Sequence, residues 1–143
     1  MIIGIASDHR GYLKKEKLKK LLKNYNIIDF GTDSENSVDY PLYAFKVGEA
    51  IKENKIDFGI LLCGSGIGMS IAANKVKKVR CAKVDNEKEA IISRIDNNSN
   101  VIAISCDKNI EEIELLIKKF ITQSFTNEKR HQRRINLIDN YES

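Results

Sequence analysis

Leu62-Cys63-Gly64-Ser65-Gly66-Ile67-Gly68-Met69-Ser70 joins a nearly continuous apolar run, Phe58–Leu62, to an amphipathic stretch that opens near Met69. An apolar run of that length reads as a strand covered on both faces. Three glycines at alternate positions let successive backbone N–H groups converge on one point, and the helix start behind them adds its positive end. Strand, glycine turn and helix in that order form the unit that builds parallel sheets. A cysteine at the rim of such a turn has its thiolate stabilised. A tight turn holding a structural cysteine is the competing reading. The phosphate loop of nucleotide hydrolases is excluded, because Gly68-Met69-Ser70 lacks its lysine. The dinucleotide fingerprint breaks at Met69, but Asp85, standing where a ribose-binding acid would, is the single match that keeps a dinucleotide site open.

Outward from this loop the same unit repeats. Ile2–Ala6 reads as a buried strand. A helix is expected from about Gly11, with Leu18, Leu21, Leu22 and Tyr25 as its inner face and Lys14, Lys15, Lys17, Lys19, Lys20 and Lys23 as its solvated face. A short strand near Ile27–Asp29 and a polar loop through Ser37 follow. Pro41 fits the first turn of a second helix, where its missing N–H costs nothing, and Ala44, Val47, Gly48 and Ile51 line that helix's inner face. The pattern then predicts a helix over Met69–Val76, a strand over Arg80–Val84, a helix over about Glu87–Ile95 and a strand over Val101–Ser105. A strongly periodic helix carries Ile110, Ile113, Leu116, Ile117, Phe120 and Ile121. The basic segment Lys129–Arg134 opens a last helix, running to about Tyr141.

Five strands alternating with helices predict an α/β fold: a three-layer αβα sandwich around a five-stranded parallel sheet, Rossmann-like. Ligands bind such sheets beyond the carboxyl ends of the strands. The expected places are Ser7–Arg10, Cys63–Gly68, and Asp96–Asn100 with Ser105–Asp107.

The 143 residues suit one domain, 1–143, large enough to fold around a single core. With 42% hydrophobic and 31% charged residues, disorder is excluded, and no apolar run approaches a membrane span. Three widely spaced cysteines argue against a disulfide framework and suit a reducing cytosol; with no leader pattern at Met1–Ala6, a cytoplasmic location is expected. A net charge of +4 is compatible with an anionic small molecule and too weak to call for nucleic acid. Two histidines and three cysteines share no metal-ligand spacing, so neither metal nor cofactor is expected. Asp8-His9 follows the first strand. Arg130 and Arg134, four apart, project from one helix face at a spacing suited to a phosphate.

Six segments then occur in order: Asp8-His9, Asp39-Tyr40-Pro41, Cys63-Gly64-Ser65-Gly66-Ile67-Gly68, Ser70-Ile71-Ala72-Ala73-Asn74-Lys75, Asn97 with Asn100-Val101, and Arg130-His131-Gln132-Arg133-Arg134. Together they resemble the B-type ribose-5-phosphate isomerases, a family that also holds allose- and galactose-6-phosphate isomerases. The resemblance implies metal-free aldose–ketose isomerisation of a phosphorylated sugar through a cis-enediolate. It implies Cys63 as the base and Ser65 as the hydroxyl that shuttles a proton between O1 and O2. The N–H groups of Gly64, Ser65, Gly66, Ile67 and Gly68 would hold the oxyanion. Asp8, His9, Tyr40 and Asn97 would bind the substrate, and Arg130 and Arg134 its phosphate. It also implies a homodimer or homotetramer with a shared active site, the C-terminal helix (about 130–141) contributing to the dimer. Ribose 5-phosphate is the expected substrate; a hexose 6-phosphate and a catalytically weak sugar-phosphate binder are the alternatives.

Two positions depart from the family pattern. Asp96 stands where a ring-opening histidine is usual, which predicts slow or rerouted ring opening with His9 or Asp8 substituting. Asp107 stands where a phosphate-binding arginine is common. Either Lys108 takes over or the loop turns away, and Asp107→Arg is expected to tighten KM.

Overall fold

The computed structural model describes residues 1–141; Glu142 and Ser143, the end of the expected 1–143 domain, lie outside them. Five strands, β1 (Ile2–Ser7), β2 (Asn26–Asp29), β3 (Phe58–Cys63), β4 (Cys81–Lys83) and β5 (Val101–Ser105), form one parallel sheet in the order β2-β1-β3-β5-β4. Among the described residues six helices accompany them: α1 (Tyr12–Leu21), α2 (Tyr40–Lys52), α3 (Ile67–Ala73), α4 (Glu87–Ile95), α5 (Ile110–Ile121) and α6 (Lys129–Asp139). Among the described residues no helix is long and apolar enough to cross a membrane.

Strand residues alternate between two cores, as the period of two demands. Ile3, Ile5, Ile60, Leu62, Ile102 and Ile104 pack with α1, α4 and α5. Ala6, Leu61, Cys63, Val101 and Ala103 pack with α2 and α3. The expected sandwich is therefore present, and the alternation points the Cys63 side chain to the α2–α3 side. Asn74, after α3, pairs with the backbone of Cys81 through both its amide groups (2.8 and 2.9 Å), closing the free edge of β4.

The sequence reading of α1 needs correction. Leu21 is exposed and the helix ends there, before Tyr25. The fully buried row is Lys15, Leu18 and Leu22, spaced i, i+3, i+7. Lys15 sits on that row because Asp29, at the end of β2, meets its ammonium at 2.6 Å, with Glu16 at 3.1 Å. Lys14 also leaves the solvated face, donating to the Cys106 and Lys108 carbonyls.

Burial acts to raise the Asp29 carboxyl, but hydrogen bonds from Lys15, Lys19 and the Gly31 N–H outweigh it and hold the group below the usual carboxylate range. A carboxyl depressed in the folded state contributes stability above its unfolded pKa of about 4, and loses it as pH falls through the folded value. The melting temperature is thus expected to drop as pH falls below about 4. Asp29→Asn should flatten part of that acid limb and, by leaving the buried Lys15 ammonium with Glu16 as its remaining carboxylate, cost roughly 1–3 kcal/mol at neutral pH. Identical pH–melting curves for parent and variant would show that the pair contributes nothing.

Candidate active site

The chain leaves β1 for β2 on one side, then returns across β1 to β3 on the other. Crossovers that diverge in this way open a crevice beyond the carboxyl ends of β1 and β3. Asp8 and Cys63 stand at its two lips.

Asp8 is buried, and its Oδ1 accepts from the Arg10 and Gly11 N–H groups, each at 3.0 Å, shaping the turn into α1. His9 Nδ1 accepts from the Val38 N–H (3.2 Å), so a neutral ring carries its proton on Nε2. That bond ties the loop before α2 to the crevice and brings Tyr40 with it. A Cβ on Gly68 would lie 2.5 Å from the Tyr40 ring, so only glycine admits this contact.

The glycine loop is held from within. Gly66 adopts the left-handed conformation (φ +79°), and its N–H donates to Cys63 Sγ at 3.2 Å. A negative charge on the sulfur therefore has a donor already aimed at it. Ser65 is exposed, and its Oγ accepts from the Ile67 N–H (3.2 Å). With Gly66 and Ile67 engaged inside the loop, the N–H groups of Gly64, Ser65 and Gly68 are those left for an incoming oxyanion. Ser105 Oγ donates to the Gly64 carbonyl (2.6 Å) and pins the loop to the end of β5.

The other two cysteines are poor bases. Burial pushes the Cys81 thiol up to about 12. Burial, followed by the charges of Asp107 and Asp8, also raises Cys106, against a smaller opposite effect of Arg10 and Lys14.

Asp96 and Asn97 do not join this group. A crossover helix returns the chain to the amino end of the next strand, so the segment between α4 and β5 lies on the opposite edge of the sheet. Asn100 confirms the position, bonding through its side chain to Arg80 N–H and the Lys78 carbonyl, just before β4. The expectation that Asp96–Asn100 accompany the carboxyl ends is therefore overturned. From Asn100 to Cys106 the strand rises roughly 20 Å, a span no pentose phosphate bridges.

A second cluster forms at this amino edge. His131 Nε2 of α6 lies 3.6 Å from Asp96 Oδ1, and Arg80 Nη1 donates to both carboxylate oxygens of Asp139 at 2.8 and 2.9 Å. Arg130 and Arg134 are exposed on α6; Arg130 meets only Glu128 (3.1 Å), and Arg134 has no ion pair among the described residues. Asn97 opens onto a cavity of about 280 Å³ shared with Asn74, Cys81 and Ile138. Asp85, the one match to a dinucleotide site, is engaged by Lys108 (3.1 Å) and Lys83 (3.6 Å). No group of three or more His, Cys, Asp or Glu gathers as a metal site among the described residues.

Sequence reasoning gave no role to Ser105, Arg10 or His131. Ser105 and Arg10 were legible only as neighbours of strand ends, and His131 only as part of a basic helix.

The profile of the Ribose/Galactose Isomerase family matches residues 3–138. A putative sugar phosphate isomerase of Bacillus subtilis is 42% identical over 147 residues, covering 99% of this chain and 97% of its own. The ribose-5-phosphate isomerase B structure of Clostridium thermocellum superposes with a TM-score of 0.94 at 39% identity, over 97% of this chain and 95% of that one. The Mycoplasma genitalium ribose-5-phosphate isomerase B, solved with bound ribulose-5-phosphate, gives 0.92 at 39% identity, over 98% and 95%.

Proposed function

This chain belongs to the ribose/galactose isomerase family, and we propose that it interconverts ribose 5-phosphate and ribulose 5-phosphate, with Cys63 as the base. The observation that carries the reading is the Gly66 N–H aimed at Cys63 Sγ beneath a glycine loop at the sheet's switch point. The thiolate takes the C2 proton of the open-chain aldose, and the electron pair moves through a cis-enediolate to O1. Ser65 carries the O2 proton to O1, and Cys63 returns its proton to C1, leaving the carbonyl at C2. Such a proton is removable only because donors already face the developing oxyanion; Gly64, Ser65 and Gly68 supply them.

Asp8, His9 and Tyr40 line the sugar end of this half-site, while Asn97, Arg130 and Arg134 stand with Asp96 on the far edge of the same sheet. A homodimer or homotetramer with a shared active site resolves that separation, the amino-edge cluster of one copy completing the carboxyl-edge crevice of the next. Apolar side chains left in water support it: Leu42, Ile67 and Ile71 beside the glycine loop, and Leu137, Ile138 and Tyr141 along α6.

Asp96 replaces the family's ring-opening histidine, yet the His131 imidazole lies beside it. His131 thus joins His9 and Asp8 as a third group placed to take over the ring-opening proton transfer. One assay tests the whole reading: ketose formation from ribose 5-phosphate, allose 6-phosphate and galactose 6-phosphate, by the parent and by Asp96→His. Turnover of ribose 5-phosphate by the parent is expected, with Asp96→His faster on the cyclic sugar. No turnover of any of the three would overturn the isomerase, and a preference for a hexose 6-phosphate would overturn the substrate.

A further inference from the structure

The charge reversal at Asp107 has a counterpart. Asp107 Oδ1 faces Arg10 Nη2 at 3.4 Å, and the Arg10 guanidinium packs against the glycine loop, where a Cβ on Gly64 would collide with its Nη1 and Cζ. Arg10 follows His9 directly, and its backbone N–H is fixed by Asp8 (3.0 Å). The other cations of this edge are engaged elsewhere. Lys14 donates to the Cys106 and Lys108 carbonyls, and the Lys108 ammonium turns to Asp85 at 3.1 Å, so it does not take over at the phosphate. Arg10 alone among them keeps a loose grip: one contact, with 57% of its side chain and 70% of that of Asp107 exposed. Such a pair contributes little to stability and leaves four of the five guanidinium N–H donors open.

Building on the isomerase reading, we propose that Arg10 is the phosphate-binding residue of the carboxyl-edge half-site, with Asp107 positioning its guanidinium. The fork of donors matches a phosphate dianion bidentately. Its seat on Gly64, one residue past Cys63, sets the distance between the phosphate and the reacting carbons, and so favours a sugar phosphate of one chain length. Asp107 does not repel the phosphate, because its charge is turned to Arg10. The single change Asp107→Arg would set two guanidinium groups face to face, so the tightening expected from the sequence requires Arg10 to be removed as well.

The test measures KM for ribose 5-phosphate, and the inhibition constant of inorganic phosphate, in the parent, Arg10→Ala and the double variant Arg10→Ala/Asp107→Arg. Arg10→Ala is expected to raise both constants by about ten- to a hundredfold. The double variant, which returns a guanidinium from the opposite loop, should recover most of that loss. Both constants unchanged within about twofold in Arg10→Ala would overturn the proposal. A double variant no better than the single one would overturn the equivalence of the two positions. Thermal protection by inorganic phosphate supplies a readout without turnover. A parent that turns over no sugar phosphate, yet loses this protection in Arg10→Ala, would sink the isomerase reading and leave Arg10 standing.

Discussion

Cys63→Ala is expected to lower kcat on ribose 5-phosphate by about 10²- to 10⁴-fold, the usual worth of a positioned general base, with KM changing only a few-fold. The size follows from what remains after the sulfur is gone. Phosphate and hydroxyl contacts are untouched, so the sugar still binds. The loop donors still face the oxyanion, but nothing within reach removes the C2 proton. Neither remaining thiol can take its place: Cys81 is held as a thiol by burial, and Cys106 is raised by burial and by two neighbouring carboxylates. Cys81→Ala should therefore retain parent-like kcat. Because Cys63 is also buried in the core against α2 and α3, its removal costs packing, and melting curves must accompany the kinetics. A folded Cys63→Ala enzyme with parent-like kcat would remove Cys63 from the chemistry and send the search for a base to Asp8.

The strands and most helices were legible because hydrophobic spacing reports burial directly. Phe58–Cys63 and Val101–Ser105 lie within a residue of their expected ends. The glycine loop was legible because its sequence states its geometry: Gly66 needs the positive φ, and Gly68 needs the space against Tyr40. What failed had one physical cause, the reading of residue type in place of position. Lys15 occupies a core row by spacing, and a partner fourteen residues beyond it, on another element, makes that tolerable. The strand-end rule places Asp96 and Asn97 with the carboxyl ends, whereas the direction of α4 carries them to the amino edge. Arg10 showed nothing in sequence, since its meaning depends on a loop about a hundred residues away.

A site divided between the two edges of the sheet makes a strong prediction about mixtures. On the proposed reading, Arg130→Ala/Arg134→Ala would remove two charge-assisted phosphate contacts and should lower kcat/KM by about 10²-fold or more, while Cys63→Ala would abolish the base. In the proposed homodimer each variant is defective on its own. If the halves come from different copies, a mixed dimer gathers both lesions into one site and leaves the other intact. Random exchange after partial unfolding then restores about a quarter of parental activity, since half the dimers are mixed and each carries one good site of two. If each chain instead built its whole site alone, every site would retain one lesion and the mixture would stay at the average of its parents. The measurement is kcat/KM of the refolded 1:1 mixture against each variant refolded alone. An activity no higher than that average would overturn the shared site. It would also require α6 to reach Cys63 within one chain, around a sheet whose edges lie roughly 20 Å apart.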